Sequence, residues 1–282
     1  MKSIGEILPL SVQYLEARNI ASARRQVEEL LCHILGLKRI ELYMQFDRPL
    51  SEDELARLRE LLRRRGKGEP LAYIVQQVDF YDCRLNVSPN VLIPRQETEI
   101  LLDKVIQKLK KRSLQGKTAW DICAGSGSLA IGLKKSLPML QVSLTDISSE
   151  ALEVAKKNCE INCVTIELLQ GDLLDPLKGR KADFILCNPP YISEQEYASL
   201  DPEVRDFEPK RALVGGGSGF EFYERLAAVL PGFLNPQGEV FFEIGTGQGE
   251  RVAALFNASC WKTKYLEKDW AGHDRFFFLE IE

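Results

Sequence analysis

The tetrapeptide Asn188-Pro189-Pro190-Tyr191 follows directly on the apolar run "KADFILC". Two prolines fix φ near −65° and carry no N–H, so the bend they form is stiff and its carbonyls are free to accept. Asn188 adds a side-chain oxygen as a second acceptor. Two acceptors at a rigid bend suit the two hydrogens of a planar NH₂ group, and Tyr191 suits the flat π-system that bears it. Such a nitrogen is a poor nucleophile because its lone pair is delocalised; in the backbone amide the same conjugation raises the rotation barrier to ~18–20 kcal/mol. Holding both hydrogens orients the group and turns its lone pair toward an electrophile, for which the sulfonium methyl of S-adenosylmethionine is suitable. In-line contact at ~3–3.5 Å contributes up to ~7–11 kcal/mol through positioning. No strong base is needed early, since the proton leaves as the new bond forms. The plainer alternative is a Pro-Pro loop after a strand, with Asn suiting the turn.

A second constellation lies upstream. "WDICAGSGSLAIGL" places a strand, a turn containing Gly125 and Gly127, and then a helix. Small residues let the backbone approach a ligand, and the helix start offers unpaired N–H groups. Asp146 closes the next apolar run, "QVSLTDI", where a carboxylate can accept from both hydroxyls of an adenosine ribose. "GSGSLA" also satisfies the dinucleotide pattern Gly-x-Gly-x-x-Gly/Ala, so the loop alone leaves an NAD enzyme open. An NAD enzyme has no evident use for the Asn-Pro-Pro-Tyr bend.

The elements that must position these groups are legible as a change of period. Residues 1–69 read as helices. Capping boxes stand at Ser3/Glu6 and Ser51/Glu54, and a further helix begins near Ser22, with Gly36 suiting its end. Ile4, Ile7, Leu8, Val12 and Leu15 share one stripe, as do Leu55, Leu58, Leu61 and Leu62. Residues 70–88, "AYIVQQVDFYDCRLNVS" among them, are rich in β-branched and aromatic side chains and read as a two-stranded linker. From 89 to 282 near-continuously apolar strands ("TAWDIC", "QVSLTDI", "TIELLQ", "ADFILCN", "GEVFFEIG") alternate with helices. That pattern predicts an α/β fold with a buried parallel sheet. The last segment, "WKTKYLEKDWAGHDRFFFLEIE", holds two strands and a Gly-containing turn, so an antiparallel hairpin closes the sheet.

Charge and cysteine usage narrow the setting. Residues 1–69 hold 13 basic and 11 acidic side chains, whereas residues 70–282 hold 24 and 30. The acidic larger part fits a phosphate backbone poorly. Seven cysteines without a paired framework fit reduced thiols and a cytoplasmic protein. Glu6 falls where a secretion signal needs an apolar core, and no stretch approaches the ~20 apolar residues of a membrane span. Cys159 and Cys163, four apart on an expected helix, read as packing thiols rather than metal ligands, and no metal is expected. Arg63–Arg65 read as a solvated helix end, and Gly215–Gly219 as a flexible loop near the site.

Taken in order, "GEPLAYI", "VSPNVLIPRQETEILLD", "DICAGSGSLAIGL", "CNPPYI", "VRDFEPKRALVGGGSGFEFYERL" and "KDWAGHDR" resemble the release factor glutamine methyltransferases of the HemK/PrmC type, along nearly the whole chain. The resemblance implies a Rossmann-like class I methyltransferase domain of seven strands over 89–282. It also implies a small helical substrate-recognition domain over 1–69. The implied reaction is N5-methylation of the glutamine in the Gly-Gly-Gln loop of class 1 peptide chain release factors, with S-adenosylmethionine as donor. Carried over by position, Cys123, Ala124, Gly125, Ser126 and Gly127 line the methionine and ribose side of the cofactor. Asp146 holds the ribose, and Asp172 and Leu173 border the adenine. Asn188 faces both cofactor and substrate. Pro189, Pro190 and Tyr191 complete the glutamine pocket, with Asn188, Pro189 and Tyr191 as the catalytic set and Phe80 as a further wall. Three positions depart from the family pattern: Cys123 stands for Gly, Gln96 for Pro, and Ser218 for an acid. The rivals are an adenine N6, cytosine N4 or guanine N2 amino-methyltransferase using the same bend, and a non-catalytic helper. The expected partner is a release factor rather than nucleic acid or membrane, and the expected state is a monomer.

Overall fold

The two serine capping boxes form as their sequences predict. Ser3 Oγ accepts from the Glu6 N–H at 3.3 Å while Glu6 Oε2 accepts from the Ser3 N–H at 2.7 Å. Ser51 and Glu54 repeat the exchange at 3.2 and 2.8 Å. Four donors at a helix start lack partners within the helix, and these side chains satisfy one while fixing the entry angle. The computed structural model describes residues 2–282. Its contacts divide into two compact units, one running to Gln76 together with Asp201–Phe207, the other comprising Gln77–Leu200 and Glu208–Glu282.

The first unit is built from α1 (Ile4–Glu16), α2 (Ala23–Leu35), α3 (Arg39–Met44), α4 (Glu52–Arg65) and α5 (Leu71–Val75). Ile4, Leu8, Leu15, Val27, Leu31, Leu58 and Leu62 meet in one apolar cluster. Two readings of the sequence need correcting here. Leu71–Val75 is helical, not the first strand of a linker, because Ile74 and Val75 are drawn into this cluster; burial overrides their β propensity. Arg65 is not a solvated helix end. Its buried guanidinium donates to Gln26 Oε1 (2.5 Å), the Glu69 carbonyl (2.9 Å) and Glu203 Oε2 (2.6 Å).

The second unit opens with the hairpin β1 (Gln77–Phe80) and β2 (Cys83–Asn86), followed by α6 (Gln96–Leu109), β3 (Thr118–Ile122), α7 (Ser128–Ser136), β4 (Gln141–Asp146), α8 (Ser149–Ile161), β5 (Glu167–Gln170) and β6 (Ala182–Cys187). The short helices α9 (Glu194–Tyr197), α10 (Pro202–Arg205) and α11 (Lys210–Leu213) follow, α10 belonging to the first unit. Then come α12 (Glu221–Val229), β7 (Leu234–Glu243), α13 (Gly249–Leu255), β8 (Trp261–Lys268) and β9 (Asp274–Ile281). Seven strands form one sheet in the order β5-β4-β3-β6-β7-β9-β8. Strands β3 to β7 pair in parallel, and β9 runs antiparallel between β7 and β8. Alternate strand residues divide between two cores. Ala119, Leu144, Phe184, Phe241 and Phe278 lie in one, and Trp120, Ile122, Ile185, Phe242 and Phe277 in the other. This is the period-2 signature of a sheet covered on both faces. Cys163 lies past the end of α8, exposed and at φ +54°, so it neither packs nor shares a helix face with Cys159. All seven cysteines are free thiols.

Candidate active site

The strand order reverses between β3 and β6, which pair directly, and ligands of open α/β sheets bind at the carboxyl ends beside such a switch. The register sets the site. Ile122 pairs with both Thr145 and Cys187. Cys123, Asp146 and Asn188, the next residue of each strand or loop, therefore leave the sheet level with one another. They border a cavity of about 1090 Å³, open mouth included, whose lining also takes in Ala124, Gly125, Ser126, Asp172, Leu173 and Pro190.

The glycine loop is held by backbone geometry. Cys123, Gly125 and Gly127 have φ of +61°, +53° and +78°. That is the left-handed region, which costs a non-glycine residue about 1–2 kcal/mol. Leu173 is a second non-glycine case at φ +50°, its carbonyl accepting from Thr145 Oγ1 at 2.9 Å. Asp146 accepts from the Gly125 N–H at 2.8 Å and the Ser148 N–H at 2.9 Å. Asn158, fully buried, donates to the Ser126 carbonyl (2.9 Å) and the Asn86 carbonyl (3.0 Å) and accepts from the Asn86 N–H (2.7 Å). One side chain thus joins the loop to the hairpin.

The amide edge is held by side chains instead. Asn188 Nδ2 donates to Thr98 Oγ1 at 3.2 Å, and Thr98 Oγ1 donates to Glu243 Oε2 at 2.7 Å. Thr98 and Glu243 are both buried. Burial pushes the Glu243 carboxyl up to about 7, against the lowering pull of Thr98 and the Arg275 charge. Behind the bend the Gly215–Gly219 segment packs closely rather than standing as a free flap. A Cβ at Gly215 would lie 2.3 Å from the Pro190 carbonyl oxygen, and one at Gly219 2.5 Å from that of Tyr191. The Gly215 N–H donates to the Ile192 carbonyl at 2.9 Å, and the Ser218 N–H to Glu221 Oε1 at 2.8 Å. In front, Glu208 accepts from the Ile93 N–H (3.1 Å) and from Arg95 (2.5 Å), fixing the segment whose Pro94 borders the cavity.

Four of the residues predicted for the site lie off the cavity wall. Gly127 caps α7, where its missing side chain lets Ile131, Ala155 and Leu144 approach. Pro189 is buried. Tyr191 is partly buried, its carbonyl accepting from Gln248 Nε2 at 2.8 Å. Phe80 needs correction as a cavity wall: it is 1% exposed and packed in the core among Leu85, Ile100 and their neighbours. Sequence reasoning missed Asp121, Thr98 and Glu243. Asp121 borders the cavity, is buried and accepts from the Ala130 N–H through Oδ2 at 3.0 Å, while Oδ1 has no partner. Burial pushes its carboxyl up to about 7, opposed by the Ala130 N–H. The signal for Asp121 was present, a lone acid in an otherwise apolar strand; Glu243 closes the apolar run Val240–Phe242.

Residues 6–75 match the PrmC N-terminal domain family, and residues 96–204 match the methyltransferase small domain family. The release factor glutamine methyltransferase of Chlamydia trachomatis serovar L2 is 41% identical over 275 residues, covering 98% of this chain and 93% of that protein. That of Geobacter sulfurreducens is 37% identical over 273 residues, covering 97% and 95%. Among solved structures, the T. thermophilus 16S rRNA N2 G1207 methyltransferase in complex with AdoMet and guanosine superposes with a TM-score of 0.54. It covers 73% of this chain and 50% of that one at 17% identity, a likeness of fold. With such identity sustained through both units, the chain belongs to the release factor glutamine methyltransferases.

Proposed function

We propose that this chain transfers the methyl group of S-adenosylmethionine to the side-chain nitrogen of the glutamine in the Gly-Gly-Gln loop of class 1 peptide chain release factors. The observation that carries the reading is the placement of Asn188 on the same cavity wall as Asp121, Cys123 and Asp146. The residues present fit the cofactor. Asp121 Oδ1 is a buried acceptor in want of a donor, which the ammonium of a methionine end provides. Asp146, fixed by two backbone N–H groups, suits ribose hydroxyls, and Asp172 and Leu173 the base. S-adenosylmethionine, when bound, supplies a methyl group on a positively charged sulfur.

The chain's own part is positioning. Asn188 Oδ1 and the Pro189 carbonyl accept the two N–H bonds of the glutamine amide, and this grip orients the group and helps its lone pair turn toward the electrophile. As the nitrogen becomes positive, both acceptors strengthen, so their contribution grows in the transition state. Pro190, on the cavity wall, flanks the amide plane, and Tyr191 packs behind the bend. The proton passes to solvent water once the new bond has formed, so no buried base is required. The helical unit is the part assigned to release factor recognition; Leu10, Ile40 and Met44 stand exposed on it. No described helix is long and apolar enough to cross a membrane. The reading takes the enzyme as a cytoplasmic monomer whose substrate is protein rather than nucleic acid.

The test offers methyl-labelled cofactor and the protein to a purified class 1 release factor, to the same factor with its Gly-Gly-Gln glutamine replaced, and to DNA and rRNA. Label on the unaltered factor alone is expected. Label confined to nucleic acid rejects the assignment.

A further inference from the structure

We propose that Thr98 and Glu243 are positioning residues that dictate which end of the Asn188 amide faces the substrate. The inference rests on the function proposed above and concerns a property the bend itself leaves open. An asparagine amide is nearly symmetric in shape, and rotation by 180° exchanges oxygen for NH₂. Only one of the two orientations accepts from a substrate NH₂; the other confronts it with two more hydrogens.

The proton inventory removes the ambiguity. An ionised carboxylate accepts only, so the short contact between Glu243 Oε2 and Thr98 Oγ1 uses the single hydroxyl proton of Thr98. Thr98 Oγ1 is then left with lone pairs, and the group 3.2 Å away on Asn188 must be the donor, Nδ2. The chain therefore runs Asn188 to Thr98 to Glu243, and Oδ1 is directed away from it. A rotated amide would set Oδ1 against an oxygen with no proton to give. The two bonds join residues far apart in sequence, from α6, from the end of β6 and from the end of β7. The end of β7 is fixed in turn: the Tyr223 hydroxyl donates to the Glu243 carbonyl at 2.8 Å.

Protonation of Glu243 reverses the polarity. The acid then donates to Thr98, which is free to donate to Asn188, and the amide is free to turn. The groups facing Glu243 are Thr98 and Glu97 from α6, Asn188 after β6, Tyr191 beyond it, Tyr223 from α12 and Arg275 from β9. Arg275 favours the ionised form and Glu97 opposes it.

The experiment compares Thr98→Val, Thr98→Ser and Glu243→Gln with the unaltered full-length chain. Steady-state methylation of a release factor is measured alongside cofactor affinity by calorimetry and the side-chain NH₂ resonances of Asn188 in ¹⁵N-labelled protein. Thr98→Val should lower kcat/KM for the release factor about 10- to 100-fold, the cost of one buried donor without its partner. Its cofactor affinity should stay within about twofold, and Thr98→Ser should restore most of the rate. In the unaltered protein, kcat at saturating cofactor should rise with pH as Glu243 ionises, a limb that Glu243→Gln should remove. Equal rates for Thr98→Val and the unaltered chain would overturn the proposal, as would equal damage in Thr98→Ser. If no release factor accepts label from the unaltered chain, the function proposed above fails. The Asn188 resonances still decide this inference, for they must shift in Thr98→Val and on acidification, and their constancy would refute it.

Discussion

The glycine loop and the Asn-Pro-Pro-Tyr bend sit level at adjacent strand ends, yet they are held by opposite means. Residues Cys123–Gly127 owe their shape to left-handed backbone and to the Gly125 N–H, which meets Asp146. The bend is held by a side-chain relay, Asn188 to Thr98 to Glu243, and by glycines that let a second segment press against its carbonyls. A site held by backbone is indifferent to most side-chain identities, whereas one held by a polar relay depends on every atom in it.

Breaking the bend should cost most. Asn188→Ala is expected to lower kcat about 100- to 1000-fold, the scale of losing one transition-state hydrogen bond. Its cofactor affinity should change far less; unaltered turnover in that variant would refute the role given to Asn188. Pressing on the bend from behind comes next. Gly215→Ala places a Cβ 2.3 Å from the Pro190 oxygen, whereas Gly217→Ala meets nothing nearer than 3.7 Å. Calorimetry should find Gly215→Ala about 1–3 kcal/mol less stable, with reduced turnover, and Gly217→Ala near neutral. Equal melting temperatures for the two would show that the segment yields freely.

The relay also has a stability signature. Burial raises the Glu243 pKa to about 7 from an ordinary 4.5, so the folded protein holds that proton more tightly than the unfolded chain. Its contribution is therefore most favourable below about pH 4.5 and is lost as pH rises through 7. Glu243→Gln should raise stability by about 3 kcal/mol at pH 8 and by nothing at pH 4; thermal melts at the two values check the sign. On the loop side, Cys123→Gly removes a side chain from φ +61°. The gain should stay below about 1 kcal/mol, because glycine also loses more freedom on folding. Cofactor affinity should stay within about twofold, and a larger change would give the thiol a role beyond packing.

The fold was legible because its strands are continuous apolar runs and its helices open on serine caps, both local signals. The loop and the bend were legible for the same reason, each being contiguous in sequence. The relay was not, since Thr98 lies 90 residues from Asn188 and 145 from Glu243, and only the packing of α6 on the sheet brings them together. Helix α5 escaped notice because Tyr73, Ile74 and Val75 favour strands in isolation and turn helical only under burial. Arg65 looked solvated because its acceptors Gln26 and Glu203 lie 39 and 138 residues away.

Asn158 gives the molecule a built-in gauge. Its amide grips Ser126 at the cavity and Asn86 on the hairpin at once. A disturbance that tightens or loosens the glycine turn has a direct hydrogen-bonded route to β2 through that carboxamide. The backbone N–H of Asn86, itself outside the cavity, is the natural place to watch for arrival of a nucleoside by amide exchange.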